Sequence, residues 1–154
     1  MLASSLPWQG PFPLAETDFS SVPPRPGVYV FTEYPTALLP NPLLPPPGSP
    51  AYESEMARLR RALTVLYVGK ATSLASRLPG YRFRPYLEIV RRPHGSPPRH
   101  QADRHKGRAL LHAQQFFEGP VFLRWAETDS PAQAEAALIR ELRPVLNTLL
   151  PPAE

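Results

Sequence analysis

Cysteine is absent from the 154 residues of this chain. Its absence excludes disulfide bonds, metal sites with thiolate ligands and catalysis by a thiol nucleophile. Apolar runs are also short, and none approaches the roughly 20 residues that span a bilayer. The first residues, MLASSLPWQGPFPLAE, lack the basic start of a signal peptide and are interrupted by prolines. These absences predict a cytoplasmic protein with no membrane-spanning segment.

Proline, in contrast, is abundant, with 23 residues, about three times the usual proportion. Seven prolines lie at 33–50, and this segment is predicted to be an extended loop because proline disfavours helix interiors and central strands. The hydrophobic content of 42% is typical of a globular protein. We expect an extended N-terminal arm at 1–25 and a single domain at 26–150.

The net charge of +4 is concentrated in one segment. Residues 91–108 contain five arginines and one lysine against one aspartate, so the rest of the chain is close to neutral. A basic segment of this kind is typical of a surface that contacts a polyanion such as DNA, and a solvated arginine-rich loop is the alternative. The basic residues that we assign to DNA contact here are Arg91, Arg92, Arg99, Arg104, Lys106 and Arg108.

Apolar periodicity and turn residues predict three strands and four helices. The strands are predicted at 27–32, 64–69 and 121–127, and the helices at 51–63, 72–78, 107–117 and 130–142. The first helix has an apolar stripe and forms, with the proline-rich loop, an insertion at 33–63; the stripe residues are Tyr52, Met56, Leu59 and Leu63. The irregular connections predict an α/β fold of the α+β kind, with a small three-stranded, mainly antiparallel sheet flanked by helices.

Two tyrosines occupy similar places in the first two predicted strands, Tyr29 in GVY and Tyr67 in YVG. Because side chains alternate along a strand, Tyr29 and Phe31 share one face, and the valines beside them take the other. If the two strands pair, both phenols can point into one site. Taken alone, however, tyrosines in strands are more often simply good strand formers.

The context of these tyrosines resembles the paired signature of the GIY-YIG nucleases. GVY at 27–29 and YVGKA at 67–71 are similar to its two motifs, and Arg77 resembles the catalytic arginine that follows them. Near the end of the chain, AEAALIRELRPVLN resembles the closing helix of the family, with Glu135 as metal ligand and Asn147 as the final asparagine. Tyr81 and the YVGKA motif are most similar to nuclease domains of the UvrC type.

The resemblance implies a GIY-YIG-like fold and a divalent-metal-dependent DNA endonuclease that hydrolyses phosphodiester bonds in DNA repair or in the processing of DNA structures. Glu135 would bind Mg²⁺ or Mn²⁺, and Arg77 would clamp the scissile phosphate. Tyr29 would be the general base, with Tyr67 lining the site or in the reverse role. The site must then lower the phenol pKa, and Lys70 is the candidate cation. Asn147 would orient a site group or cap the C-terminal segment.

Aromatic and basic residues alternate at 79–86, where Tyr81, Arg82 and Arg84 could contact DNA by stacking and by phosphate binding. A packed aromatic turn is the alternative. Other functions are also open. The chain could be a catalytically inactive nucleic-acid-binding module or a nuclease of the restriction or homing type. The prolines of 33–50 could serve as a polyproline ligand for another protein.

Overall fold

A computed structural model describes residues 2–33, 35, 37–46, 48–82, 121–145 and 147. The strands are β1 Gln9–Pro13, β2 Gly27–Thr32, β3 Val65–Ala71 and β4 Phe122–Glu127. The helices are α1 Leu2–Ser5, α2 Tyr52–Leu59, α3 Leu74–Arg77 and α4 Pro131–Leu142. Short 3-10 helices occur at Leu14–Glu16, Phe19–Ser21, Arg60–Ala62 and Leu78–Arg82. The helix predicted at 107–117 lies outside the described residues.

The strands form one antiparallel sheet in the order β1-β4-β2-β3. The three predicted strands and the α+β class are confirmed, but the expected number of strands is wrong. The fourth strand, β1, lies in the segment predicted as an extended arm. Its sequence QGPFP has two prolines, which disfavour a strand. Proline is nevertheless tolerated at the edge of a sheet, and β1 is an edge strand paired only with β4.

The two faces of the sheet pack against different layers, as the alternation of side chains predicts. Tyr29 and Phe31 of β2 belong to a core cluster that includes Trp125. Val28 and Val30 face the opposite side, where α4 packs against them through Ala134, Leu138 and Leu142. All six residues of β2 are buried, which fits its position between β4 and β3.

A bulge near the start of β3 sets the register of the β2–β3 pair. Phe31 lies opposite Tyr67, whereas Thr32 lies opposite Val65, so Leu66 is the extra residue. The extra residue is buried in the aromatic core cluster. Beyond the bulge, Tyr67 faces the same side of the sheet as Phe31 and Tyr29.

The insertion between β2 and β3 packs on the aromatic face through α2 and through Leu63, which follows the 3-10 helix. The predicted stripe is confirmed, because Met56 and Leu63 are buried and Tyr52 and Leu59 pack against the same cluster. Arg60 binds Glu33 with both arms of its guanidinium, at 3.0 and 3.3 Å. In the part of the chain that the structure describes, no helix has the length and apolar character needed to cross a membrane.

Candidate active site

The glycines of the GVY and YVG motifs allow the close packing on which the site is built. Gly69 lies opposite Tyr29 in the β2–β3 pair, and a Cβ atom at position 69 would overlap the Tyr29 ring. A Cβ atom on Gly27 would overlap the backbone of β4 and would lie 2.6 Å from Cδ1 of Leu74. Glycine at 69 therefore lets the Tyr29 phenol lie against β3, and glycine at 27 lets α3 approach β2.

Three tyrosines form a cluster on this face of the sheet. The ring centroids of Tyr29 lie 6.4 Å from Tyr67 and 5.6 Å from Tyr81. The hydroxyls of Tyr29 and Tyr81 share a hydrogen bond of 2.8 Å. Tyr29 and Tyr81 are only 1% and 2% exposed, whereas Tyr67 is half-buried. Tyr67 is therefore the phenol of this cluster that a substrate can contact most directly.

Arg77, the last residue of α3, is held beside these phenols by the anchoring of its short helix. The Ser73 side chain caps the helix by accepting a hydrogen bond from Ser76 N at 3.3 Å. Leu74 N donates to the carbonyl of Arg25 at 2.9 Å, which fixes the first turn. The Arg77 guanidinium donates to the Lys70 carbonyl at 3.4 Å and lies close enough to the Tyr29 hydroxyl for its charge to act on that phenol.

Glu135 and Lys70 meet at the side of the sheet that α4 covers. Lys70 lies opposite Val28 in the β2–β3 pair, so its side chain leaves β3 on the α4 face. Lys70 Nζ is 3.8 Å from the Glu135 carboxylate, and the two side chains are 52% and 23% exposed. Glu135 is also close enough to Tyr29 and Tyr67 for its charge to act on both phenols. The structure thus brings these predicted residues together from β2, β3, α3 and α4.

Asn147 holds the free edge of β3 at the centre of the YVG motif. Its Oδ1 accepts a hydrogen bond from Val68 N at 2.8 Å, and its Nδ2 donates to Val68 O at 2.9 Å. The side-chain amide thereby replaces a neighbouring strand at the position between Tyr67 and Gly69. Of the two sequence-based interpretations, orientation of the site fits this geometry, and it acts through the backbone of β3.

The expectation that the site lowers the phenol pKa is wrong for this arrangement. Burial raises the pKa of Tyr29 above its usual value near 10, and the Tyr81 hydrogen bond and the Arg77 charge offset only part of this. Burial likewise raises the pKa of Tyr67 and of Tyr81. The cation that opposes these shifts is Arg77. Lys70, the expected cation, is instead paired with Glu135.

Glu135 is the carboxylate of this cluster that could bind a divalent cation. Burial raises its pKa, while the charges of Lys70 and Arg77 lower it. The side chain keeps enough exposure to accept a hydrated ion, and Mg²⁺ commonly binds one or two carboxylates together with water and substrate phosphate. Among the described residues there is no group of three or more histidines, aspartates and glutamates, so the donor set fits only such an open site.

Comparison with known proteins assigns no family or function to this chain. No protein-family model matches this chain, and no curated protein or solved structure matches it significantly. The resemblance to the GIY-YIG nucleases therefore stays a prediction from the motif residues.

The residues expected to contact DNA are only partly described. Tyr81 is buried, and its ring packs edge-on against Phe31 at 4.7 Å, so the packed aromatic turn is the arrangement observed. Arg82 ends the 3-10 helix that carries Tyr81. The other predicted DNA contacts lie outside the described residues; they are Arg84, Arg91, Arg92, Arg99, Arg104, Lys106 and Arg108.

Sequence analysis missed Asn41, which is fully buried in the insertion. Its Oδ1 accepts from Thr64 N and Val65 N at 2.9 and 3.1 Å, and its Nδ2 donates to Val65 O at 2.8 Å. Asn41 therefore stabilises the backbone at the beginning of β3, and Asn147 stabilises the backbone at the middle of the same strand. Its only signal in the sequence is the pattern Pro-Asn-Pro, which does not reveal a contact with a distant strand.

Proposed function

We propose that this protein is a divalent-metal-dependent DNA endonuclease that hydrolyses phosphodiester bonds. The observation that supports this most directly is the meeting of Tyr29, Tyr67, Arg77 and Glu135 at β3, although they come from four separate elements. These are the residues, in the same order, that the GIY-YIG resemblance assigns to catalysis.

Each residue has a defined task in the proposed reaction. Hydrolysis of a phosphodiester requires neutralisation of phosphate charge, an oriented water and stabilisation of the leaving oxygen. Arg77 would bind the phosphate through its planar set of donors. Glu135 would hold Mg²⁺ or Mn²⁺, which supplies positive charge to the phosphate and the leaving oxygen when bound. Lys70 would hold the Glu135 carboxylate in its ionised form, since a nearby cation favours the charged state.

The different burial of the phenols divides their roles. Tyr67, which is half-buried, would hydrogen-bond the attacking water and orient it. Tyr29, which is almost fully buried and interacts with Arg77, would position the guanidinium. This proposal moves the contact with water from Tyr29, the residue first expected as base, to Tyr67. To take the proton of the attacking water, Tyr67 must first be a phenolate, and the Arg77 charge reduces the cost of that ionisation. The proton of the water then resides on the Tyr67 oxygen.

A second candidate function is a nucleic-acid-binding module that does not cut. The raised pKa of Tyr29 and of Tyr67 favours this candidate, because forming a phenolate base at either residue then costs more free energy than it would in water. The two candidates share DNA as partner and differ only in catalysis.

A digestion assay with duplex, branched and single-stranded DNA separates these candidates. We expect the protein to cut at least one of these substrates in Mg²⁺ or Mn²⁺ and not in EDTA. Glu135→Gln should fold, bind DNA and lose cutting, because the amide keeps the shape but not the charge of the ligand. Glu53→Gln, which changes an exposed glutamate on α2, is the matched control and should cut normally.

The outcomes of this assay are distinct. Undiminished cutting by Glu135→Gln in Mg²⁺ would contradict the role of Glu135 as metal ligand. DNA binding without cutting of any substrate by the unmodified protein would support the second candidate. If DNA is cut, the pattern of substrates and sites also distinguishes a repair-type enzyme from a restriction or homing nuclease.

A further inference from the structure

A cavity of about 310 Å³ lies at the β1 edge of the sheet, on the side opposite β3. Its lining includes Phe12 and Trp125, whose stacked rings we call its floor, together with Pro7 and Pro23 and the polar residues Gln9 and Glu127. Its volume is at the lower end of the range for small-molecule sites. That size can hold a single planar ring system.

The floor of the cavity is a pair of stacked aromatic rings. The centroids of Phe12 and Trp125 are 5.0 Å apart, and the two ring planes differ by 27°. Trp125 is buried, whereas Phe12 is only half-buried and offers part of its ring to a ligand. Aromatic side chains of this kind bind planar bases by stacking, which works for every base because each has a π face.

The polar groups around the floor favour a neutral ligand with hydrogen-bond donors on its edge. The Glu127 carboxylate and the Gln9 side-chain oxygen are acceptors, and the amino and ring N–H groups of nucleobases are matching donors. The negative charge of Glu127 argues against a phosphate inside the cavity. Arg25 Nε pairs with the Glu127 carboxylate at 3.3 Å, and its side chain is 64% exposed, so the remaining donors of its guanidinium are open to a backbone phosphate beside the cavity.

A backbone hydrogen bond joins a residue of the cavity to α3, the helix that carries Arg77. The carbonyl of Pro23, a cavity residue, accepts a hydrogen bond from Ala75 N at 3.1 Å. Across the sheet, Gly27 of β2 lies between Glu127 of β4 and Ala71 of β3. Two strand spacings, roughly 10 Å, therefore separate the cavity from the β3 side. That distance is about three base steps of a stacked strand.

We propose that this cavity binds an unpaired nucleobase of the DNA strand whose phosphate is held at Arg77. The inference rests on the proposed function and names its substrate class: DNA with at least one unpaired base close to the scissile phosphate. Base pairs within a continuous duplex cannot insert, because their rings are stacked on both faces. The protein therefore prefers single-stranded or distorted DNA to regular duplex.

Equilibrium binding in EDTA tests this inference without cutting. The probes are a single-stranded oligodeoxynucleotide and the regular duplex of the same sequence. Phe12→Leu should weaken single-strand binding on the order of tenfold, the effect of losing one base–aromatic stack, and should leave duplex binding unchanged. Phe12→Tyr keeps the ring and should bind both probes like the unmodified protein. Equal single-strand affinity of Phe12→Leu and the unmodified protein would overturn the inference.

A second pair of variants avoids changing the core. Ser21 is an exposed residue of the cavity rim, and Ser21→Leu should fill the cavity and weaken single-strand binding to a similar extent. Ser20→Leu, at the exposed neighbouring position outside the cavity, is the control and should have no effect. Normal single-strand binding by Ser21→Leu would contradict the assigned location.

Failure of this inference can be distinguished from failure of the proposed function. A protein that cuts DNA, but whose single-strand affinity is insensitive to Phe12→Leu and Ser21→Leu, overturns the cavity inference alone. A protein that binds no DNA of any form overturns both. Displacement of the single-stranded probe by a proline-rich peptide, with the same dependence on Phe12, would assign the cavity to peptide and overturn the nucleobase inference.

Discussion

Arg77 is the residue whose loss should separate binding from chemistry most clearly. Arg77→Ala should lower the cleavage rate by at least about 100-fold, the effect of removing one preorganised donor to the transition state, and should weaken DNA binding far less. Single-turnover rates at saturating DNA, measured beside binding constants, provide the test. Arg58→Ala, which removes an exposed arginine paired with Glu55, is the control and should retain its rate. Equal losses in rate and affinity would show that Arg77 only docks the substrate.

The buried phenols should make the protein sensitive to alkaline pH. Tyr29, Tyr67 and Tyr81 have a raised pKa in the folded protein, whereas in the unfolded chain they ionise near pH 10. Above pH 10 the unfolded chain therefore binds fewer protons than the folded protein. The free energy of unfolding should then fall as pH rises, by up to about 1.4 kcal/mol per pH unit for each phenol.

Urea unfolding over a series of alkaline pH values measures this slope. Tyr81→Phe removes one of the three titrating phenols. The free energy of unfolding of this variant should therefore fall less steeply with pH, by the contribution of one phenol. The comparison is between slopes, so a uniform loss of stability from the missing Tyr29–Tyr81 hydrogen bond does not disturb it. An unchanged slope in Tyr81→Phe would mean that this phenol ionises equally in the folded and unfolded states.

At the level of elements, two asparagine side chains hold the edge strand β3. Asn147 bonds both backbone groups of Val68, and Asn41 bonds the backbone of Thr64 and Val65. Exposed strand edges are open to pairing with other chains, and these amides occupy the backbone groups that such pairing needs. They also fix the backbone that carries Tyr67 and Gly69.

Replacing these asparagines should destabilise the protein in a defined order. Asn147→Ala should lower the free energy of unfolding by roughly 1–3 kcal/mol, because Val68 loses its partners. Asn41→Ala should cost more, since Asn41 is fully buried and bonds three backbone groups of Thr64 and Val65, at the start of β3. Chemical unfolding measures both losses, and amide hydrogen exchange at Val68 should accelerate in Asn147→Ala. A smaller loss for Asn41→Ala than for Asn147→Ala would contradict this account.

At the scale of the whole molecule, the positive charge is concentrated in 91–108, a segment outside the described residues. We expect this segment to bind phosphates without reading bases, because its sequence has no periodic framework that would fix side chains against base edges. Replacing Arg91, Arg92, Arg99 and Arg104 with Gln should weaken binding equally on all duplexes. The slope of log affinity against log salt should flatten by up to about 3–4 units.

Titrations at several salt concentrations measure that slope. Arg58 and Arg61, which are exposed in the α2 region, provide the matched control, and their replacement with Gln should leave the slope unchanged. An unchanged slope in the four-arginine variant would mean that the segment is only solvated. A loss restricted to one DNA sequence would mean that it reads bases.

The regular spacing of apolar residues explains why much of the fold could be predicted from the sequence. Alternation along a strand and apolar spacing along a helix both report burial of one face, so β2, β3, β4, α2 and α4 are visible in the sequence. The strand β1 is not, because its local composition opposes a strand and only its pairing with β4 offsets that preference. Its pairing adds Phe12 to the stack on Trp125, and the cavity there was likewise invisible in the sequence.

The sequence by itself identified most of the residues that meet in the candidate site, through the two motifs and the carboxylate that follows them, and it determined that Tyr29 faces away from Val28. Only the tertiary structure decided how those residues interact. Tyr29 and Tyr81 are 52 residues apart in sequence yet share a hydrogen bond, and Asn147 reaches Val68 across 79 residues. Burial and the distance between charges depend on such long-range contacts. The direction of the phenol pKa shifts, and the assignment of Arg77 to Tyr29 and of Lys70 to Glu135, therefore followed from the folded chain alone.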